Sequence, residues 1–175
     1  MKVTSATDII LNNSTYLIYG NPGSGKTHTI NFLTGKTLYV AIDKTQYPLR
    51  GNENIDVVDF NSHDAWKEWI DLIKFLKDEK NIEKYDTIVF DNISELIRSM
   101  LASLGREGKN NRVPAQFHYQ QIDFLIMDSV RYINTLNKRI VYIAWETTDE
   151  VISELGQKTT RSFPDIRIKI LRNFM

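Results

Sequence analysis

A chain of 175 residues, 42% hydrophobic and 25% charged, fits one globular domain with a single buried core. The absence of cysteine excludes a disulfide scaffold, a cysteine zinc site and a thiol nucleophile, and no apolar run reaches the roughly 18 residues that span a bilayer. Net charge is zero, so the molecule as a whole does not attract polyanions.

The opening MKVTSATDIILNNSTYL lacks the long apolar core and small-residue cleavage site of a secretory signal, so the cytoplasm is the expected location. A strand is predicted over Tyr16–Tyr19. It runs into 20-GNPGSGKT-27, which matches G-x-x-x-x-G-K-[ST], and a helix over Lys26–Leu33 follows. Strand, glycine loop and helix are the context this motif requires. Gly23 and Gly25 let the backbone wrap a phosphate chain, and the loop amides and helix start present positive dipoles. Asn21, Pro22, Gly23, Ser24, Gly25, Lys26, Thr27 and His28 are the expected nucleotide-binding residues. Lys26 is expected at the β- and γ-phosphates of ATP, and Thr27 offers a hydroxyl to Mg²⁺.

The letters GKT recur in Thr34–Thr37, but without an upstream glycine loop; that stretch reads as a turn into a second strand, Leu38–Ile42. A third strand is predicted over Asp56–Phe60. The helix Asp64–Lys77 follows, with Ser62 as N-cap and a stripe of Trp66, Trp69, Ile70, Ile73 and Leu76. Both tryptophans read as core. The fourth strand, Thr87–Phe90, ends in Asp91, the expected carboxylate on the Mg²⁺ side. A helix over Ile93–Leu104, closed by Gly105, leads to a polar loop, Gly105–Pro114. A long helix, Gln116–Leu136, precedes the strand Ile140–Trp145 and a second polar loop, Thr147–Pro164. Continuous apolar strands alternating with helices predict an α/β fold with a mainly parallel sheet covered on both faces. Residues 1–175 read as one domain whose final sheet elements are expected to be missing after the apolar end FPDIRIKILRNFM.

Asn92 follows Asp91 and cannot take a proton. Three acids remain as candidate general bases. Asp43, at the end of LYVAID, is favoured as base or water-positioner. Glu146 or Thr147 is assigned to sensing the γ-phosphate, and Glu95 to a capping or surface role. His28, His63 and His118 have no metal-ligand spacing.

The ordered set LIYGNPGSGKT, LYVAID with PLRGNENIDVV, YDTIVFDNISEL, KRIVYIAWET and FPDIRIKILRNFM resembles the phage-encoded RecA-like P-loop ATPases, also described as phage nucleotide-binding or AAA-domain proteins. The resemblance covers nearly the whole chain. It implies a three-layer RecA-like core in which the strand carrying Asp91 is separated from the glycine-loop strand by the strand ending at Glu146. It also implies ATP hydrolysis with Mg²⁺, a role in phage DNA recombination or single-stranded DNA handling, and a single-strand annealing or binding protein as partner. Assembly as a ring or filament is implied too, in the cytoplasm of the infected cell, with no membrane. Arg161, Arg167 or Lys169 is then the candidate for the charge a neighbouring subunit supplies to the γ-phosphate. One position departs from the pattern. Relatives often carry Glu two residues after the aspartate of the second strand, where this chain has Thr45, and slow hydrolysis is the expected consequence.

Two segments carry a basic excess. Arg98–Arg112 has four basic residues against one acid, and Gln157–Met175 has five against one. In RecA-like folds such loops face DNA, so Arg106, Lys109, Arg112, Lys158 and Arg161 are the expected DNA contacts, with Phe117 or Tyr119 to stack a base. Solvated surface charge is the ordinary reading of each segment alone. A nucleotide-gated module that loads a partner with little hydrolysis, and a small-molecule kinase using the same loop, are the alternatives. The kinase reading has only Lys158 and Arg161 for a basic lid.

Overall fold

The computed structural model describes residues 5, 14–108, 112–152 and 158–174. In chain order these form β1 (Thr15–Gly20), α1 (Lys26–Thr29), β2 (Thr37–Ala41), β3 (Ile55–Asp59), α2 (Ala65–Lys77), α3 (Glu79–Ile82) and β4 (Thr87–Asp91). They continue with α4 (Ile93–Glu107), α5 (Gln116–Ile133), β5 (Arg139–Ile152), β6 (Lys158–Pro164) and α6 (Ile168–Leu171). Single 3₁₀ turns occupy Ile30–Phe32, Tyr47–Leu49 and Ser62–Asp64.

The sheet order is β1-β5-β4-β2-β3, all parallel, and β6 pairs antiparallel with β5. β5 therefore lies between the glycine-loop strand and β4, as the resemblance implied. Alternation along the central strands feeds two cores. Leu38, Val40, Ile88, Phe90, Ile140 and Tyr142 face α2, α4 and α5, while Tyr39, Ala41, Val89, Val141 and Ile143 face Ile30 and Leu49. Burial on both faces is why β2 and β4 read as continuous apolar runs.

Several boundaries differ from the sequence expectation. Within the span Thr147–Pro164, expected as a loop, the described residues form strands. β5 continues through Ile152 and pairs with β6 from Glu146↔Pro164 to Ile152↔Lys158. Its threonines and other β-branched residues favour strand. Thr147–Glu150 and Lys158–Phe163 are exposed, so no apolar alternation marked the hairpin. Gly105 does not end its helix, because α4 runs to Glu107. A side chain at Gly105 would meet the Arg112 carbonyl at 2.9 Å and the Pro114 ring at 3.1 Å, so close chain packing explains this glycine. Ser62 does not cap α2 either. Its hydroxyl donates to the Ile42 carbonyl, and α2 begins after the 3₁₀ turn. The helix expected over Lys26–Leu33 is α-helical only to Thr29, then 3₁₀. The second GKT is the turn the sequence indicated, with Gly35 at φ +85° against Asp86.

At the amino-terminal end of the sheet, Asp56 gathers three donors. Lys36 Nζ lies 2.6 Å from one oxygen; Lys84 Nζ and Tyr85 Oη each lie 2.8 Å from the other. Hydrogen bonds from Lys36, then Lys84, then Tyr85 hold this carboxyl well below its ordinary range. A depressed folded-state pKa gives stability that is present above the unfolded value of about 4 and lost as pH falls through the folded value. Asp56→Asn is therefore expected to cost about 1 kcal/mol near pH 7, given solvent screening of a partly exposed group. The gap in melting temperature between the two proteins should narrow below about pH 4. A gap that stays constant from pH 7 to pH 2.5 would contradict the assignment.

Candidate nucleotide site

The strand ends of β1, β2, β4 and β5 converge on one cleft of about 350 Å³. Its walls come from the glycine loop (Pro22, Gly23, Gly25–His28), the β2 exit (Asp43, Thr45, Pro48), Asp91 and Asn92 after β4, and Trp145. Gly23 and Gly25 sit at φ +78° and +86°, a backbone that L side chains rarely adopt, and both are open to solvent. Lys26 curls over its own loop, donating to the carbonyls of Gly20 at 2.7 Å and Asn21 at 2.9 Å. Ser24 Oγ lies 3.4 Å from the same amine. The loop residues named from the motif are thus brought together, with Lys26 at the mouth.

Thr27 and Asp91, the two residues assigned to the Mg²⁺ side, lie in direct contact. The Thr27 hydroxyl donates to Asp91 Oδ2 at 2.6 Å. A second donor comes from Tyr39, whose hydroxyl reaches the same oxygen at 2.6 Å. Asp91 is 2% exposed, and burial pushes its carboxyl above the ordinary range. The hydrogen bonds from Thr27 and Tyr39 act in the opposite direction. Burial, then the Asp91 charge, pushes the Tyr39 hydroxyl far above its ordinary range, so it remains a donor. Among the described residues no group of three or more His, Asp or Glu side chains could cage a metal. A hydroxyl and one carboxylate beside a phosphate loop is instead the donor set that suits Mg²⁺ carried by a nucleotide. When bound, the ion would offset the phosphate charge that otherwise faces both Asp43 and Asp91.

Asp43 lines the cleft with both oxygens engaged. Oδ1 accepts from the Thr45 hydroxyl at 2.6 Å and the Thr45 amide at 3.3 Å, and Oδ2 accepts from Asn92 Nδ2 at 2.5 Å. Two donors fill Oδ1, and Oδ2 keeps a lone pair for a water. Asn92 has a role the sequence reading missed. Buried at 1% exposure, it holds Asp43 through its amide nitrogen and caps α4 by accepting the Glu95 amide at 2.7 Å. The Asp91–Asn92 peptide bond is cis. An Asn directly before an apolar helical run was the available signal, since Asn is a favoured N-cap.

Glu146 is placed at the base of the glycine loop. Its Oε2 would lie 3.9 Å from a side chain built on Gly20, and its neighbour Trp145 lines the cleft. Thr147 is exposed on β5. Glu95 lies in the first turn of α4, and burial raises its carboxyl. His28 meets Phe32 edge-on at 5.5 Å, and buried His118 accepts from the Ala115 amide at 3.0 Å. The three histidines are not brought together as a metal-binding group.

The basic residues are spread over several elements. Arg106 lies in the last turn of α4 rather than in a loop, and its guanidinium donates to the His63 carbonyl. Arg112 is exposed, and Lys109 lies outside the described residues. Lys158 and Arg161 are on β6. Lys158 pairs with Glu150 at 3.1 Å, and Arg161 stands opposite Asp149. Arg167 pairs with buried Asp123 at 3.1 Å and stacks on Tyr119, while Lys169 is exposed. Phe117 is 56% exposed and Tyr119 37%. No helix among the described residues is long and apolar enough to cross a membrane.

No curated protein matches the chain. A family model described as an AAA domain matches residues 12–175. With its glycine loop, its Thr27–Asp91 pair and its parallel sheet, the chain belongs to that AAA domain family of nucleotide-binding, P-loop ATPase-type proteins.

Proposed function

We propose that the chain is a Mg²⁺-dependent ATPase that couples nucleotide turnover to handling of single-stranded DNA, in the manner of phage recombination ATPases. The observation that carries the nucleotide chemistry is the convergence of Lys26, Thr27, Asp91 and Asp43 from three strand ends on one cleft. Lys26 holds the phosphate chain, Thr27 and Asp91 hold the cation side, and Asp43 orients the attacking water. The DNA coupling is supported by the course of β5. Trp145 lines the cleft, and the same strand continues into the exposed hairpin that bears Lys158 and Arg161. Arg106, Arg112 and the exposed Phe117 are further proposed DNA contacts on other elements, as is Lys109, which lies outside the described residues. Assembly into a ring or filament, with Arg161, Arg167 or Lys169 acting on a neighbouring site, belongs to the same reading, as does a single-strand annealing or binding partner.

A specific observation favours a second reading, a nucleotide-gated loading module with little turnover. Both Asp43 oxygens are already engaged, Thr45 stands where relatives often carry Glu, and the hairpin cations each face an acid.

Phosphate release with and without single-stranded DNA separates the two. Several-fold stimulation supports the coupled ATPase; tight ATP binding without turnover in either condition supports the loading module. On the coupled reading, Lys158→Ala with Arg161→Ala should weaken single-strand binding. It should also flatten the logarithmic salt dependence by about 1.4, at ~0.7 per lost phosphate contact. An unchanged salt slope would remove the hairpin from the DNA surface.

A further inference from the structure

Asp91 ends β4 on the sheet face that carries Tyr39, Ala41 and Val89. The register sets Ala41 opposite Asp91 and Tyr39 opposite Val89. Ala41 is fully buried and small. The ring of Tyr39, two residues earlier on the neighbouring strand, can therefore run diagonally past it to the carboxylate. Such diagonal neighbours are within reach of an aromatic side chain. Tyr39 has 0% exposure and packs in the smaller core with Ile30, Leu49, Val141 and Ile143.

Those surroundings would accept phenylalanine equally well. A hydroxyl placed there loses its water and must recover that cost through a hydrogen bond. It does so at Asp91 Oδ2, 2.6 Å away. The Thr27 hydroxyl donates to the same oxygen at 2.6 Å. A carboxylate oxygen has two acceptor sites, so two donors fill Oδ2 and leave Oδ1 as the free acceptor. Torsion about the last bond of an aspartate is soft and nearly two-fold, so a carboxylate held by Thr27 alone can exchange its oxygens. A second donor from a fixed ring opposes that exchange. Thr27 gains as well, because donating its proton to Oδ2 leaves its lone pairs free for the cation side.

We propose that Tyr39 is a positioning residue for the divalent-cation side of the nucleotide site, fixing the Asp91 carboxylate from beneath through its buried hydroxyl. It touches neither nucleotide nor cation and acts only through Asp91. The assignment rests on the reading of the cleft as a Mg²⁺–nucleotide site. Outer-sphere partners of this type typically change metal affinity by about 10–100-fold.

The test compares the full chain with Tyr39→Phe, Asp91→Asn and the double variant. ADP affinity is titrated by calorimetry in EDTA and over a Mg²⁺ series, and Mn²⁺ serves as a spin probe of cation binding in the presence of ADP. In Tyr39→Phe, metal-free ADP affinity should be unchanged. The Mg²⁺ concentration for half-maximal tightening should rise about 10-fold, with a parallel loss of bound Mn²⁺. In the Asp91→Asn background the same substitution should change neither readout, because the residue it acts through is already altered. The proposal is overturned if Tyr39→Phe leaves the Mg²⁺ requirement unchanged. It is also overturned if the variant weakens metal-free and metal-bound ADP equally, including through loss of fold, since that describes a packing residue. A wild-type chain that binds ADP with no Mg²⁺ response at all removes the site reading itself, and this assignment with it.

Discussion

Alanine in place of Lys26 lowers ATP turnover by roughly 10²–10³-fold, the scale of losing one preorganised charge that stabilises a transferring phosphoryl group. Among the described residues lining the cleft, only Lys26 and His28 carry or can acquire positive charge, while Asp43 and Asp91 are acids. A triphosphate there depends on Lys26 and its own cation to offset that repulsion. The substitution should leave the fold intact. Among the described residues the Lys26 amine bonds only to atoms of its own loop, at a partly exposed position. A melting temperature within about 2 °C of wild type is expected, as for a substitution with little stability cost. Phosphate release and a thermal melt on the same preparation check both halves. Residual turnover within a few-fold of wild type would place the chemistry elsewhere.

Trp69→Ala should be the most damaging single core truncation, at about 3–5 kcal/mol. Trp69 is fully buried on α2, and its indole N–H donates to Ser129 Oγ on α5 at 3.0 Å. It also starts a chain of rings that runs along one face of the sheet. Trp69 meets Phe90 at 5.7 Å, Phe90 stacks on Tyr142 at 5.3 Å, and Tyr142 meets Phe174 edge-on at 4.7 Å. Truncation opens a cavity at one end of this chain and leaves the Ser129 hydroxyl buried without its partner. For a chain of this size the cost corresponds to a fall of roughly 6–20 °C in melting temperature. Trp69→Phe keeps most of the ring volume but not the hydrogen bond, and should cost about 1–2 kcal/mol. Equal losses in the two variants would show that the hydrogen bond, not the volume, dominates.

Two-sided burial made the central strands legible in the sequence. β2 and β4 are buried at every position, and the acids that enter the cleft stand at the end of β4 (Asp91) and two residues beyond β2 (Asp43). The glycine loop was legible because its φ values and its lysine–threonine pair restrict composition strongly. The β5–β6 hairpin was not legible: both of its faces meet solvent, so alternation carries no signal, and its polar letters resemble a loop. Gly105 misled because a glycine required by close packing and one required by a helix end look alike in one dimension. Asn92 was read for what it cannot do as a base, yet its amide joins Asp43 to α4. Tyr39 looked like one more apolar strand residue, and only the register between β2 and β4 brings its hydroxyl to Asp91.

The most direct test of the central claim is a calorimetric titration of ATP into the full chain, with EDTA and then with Mg²⁺, repeated on Asp91→Asn. ATP should bind in EDTA and tighten by about tenfold or more with Mg²⁺, and the tightening should be lost in Asp91→Asn. No ATP binding in either condition, or a Mg²⁺ response that survives Asp91→Asn, would contradict the account.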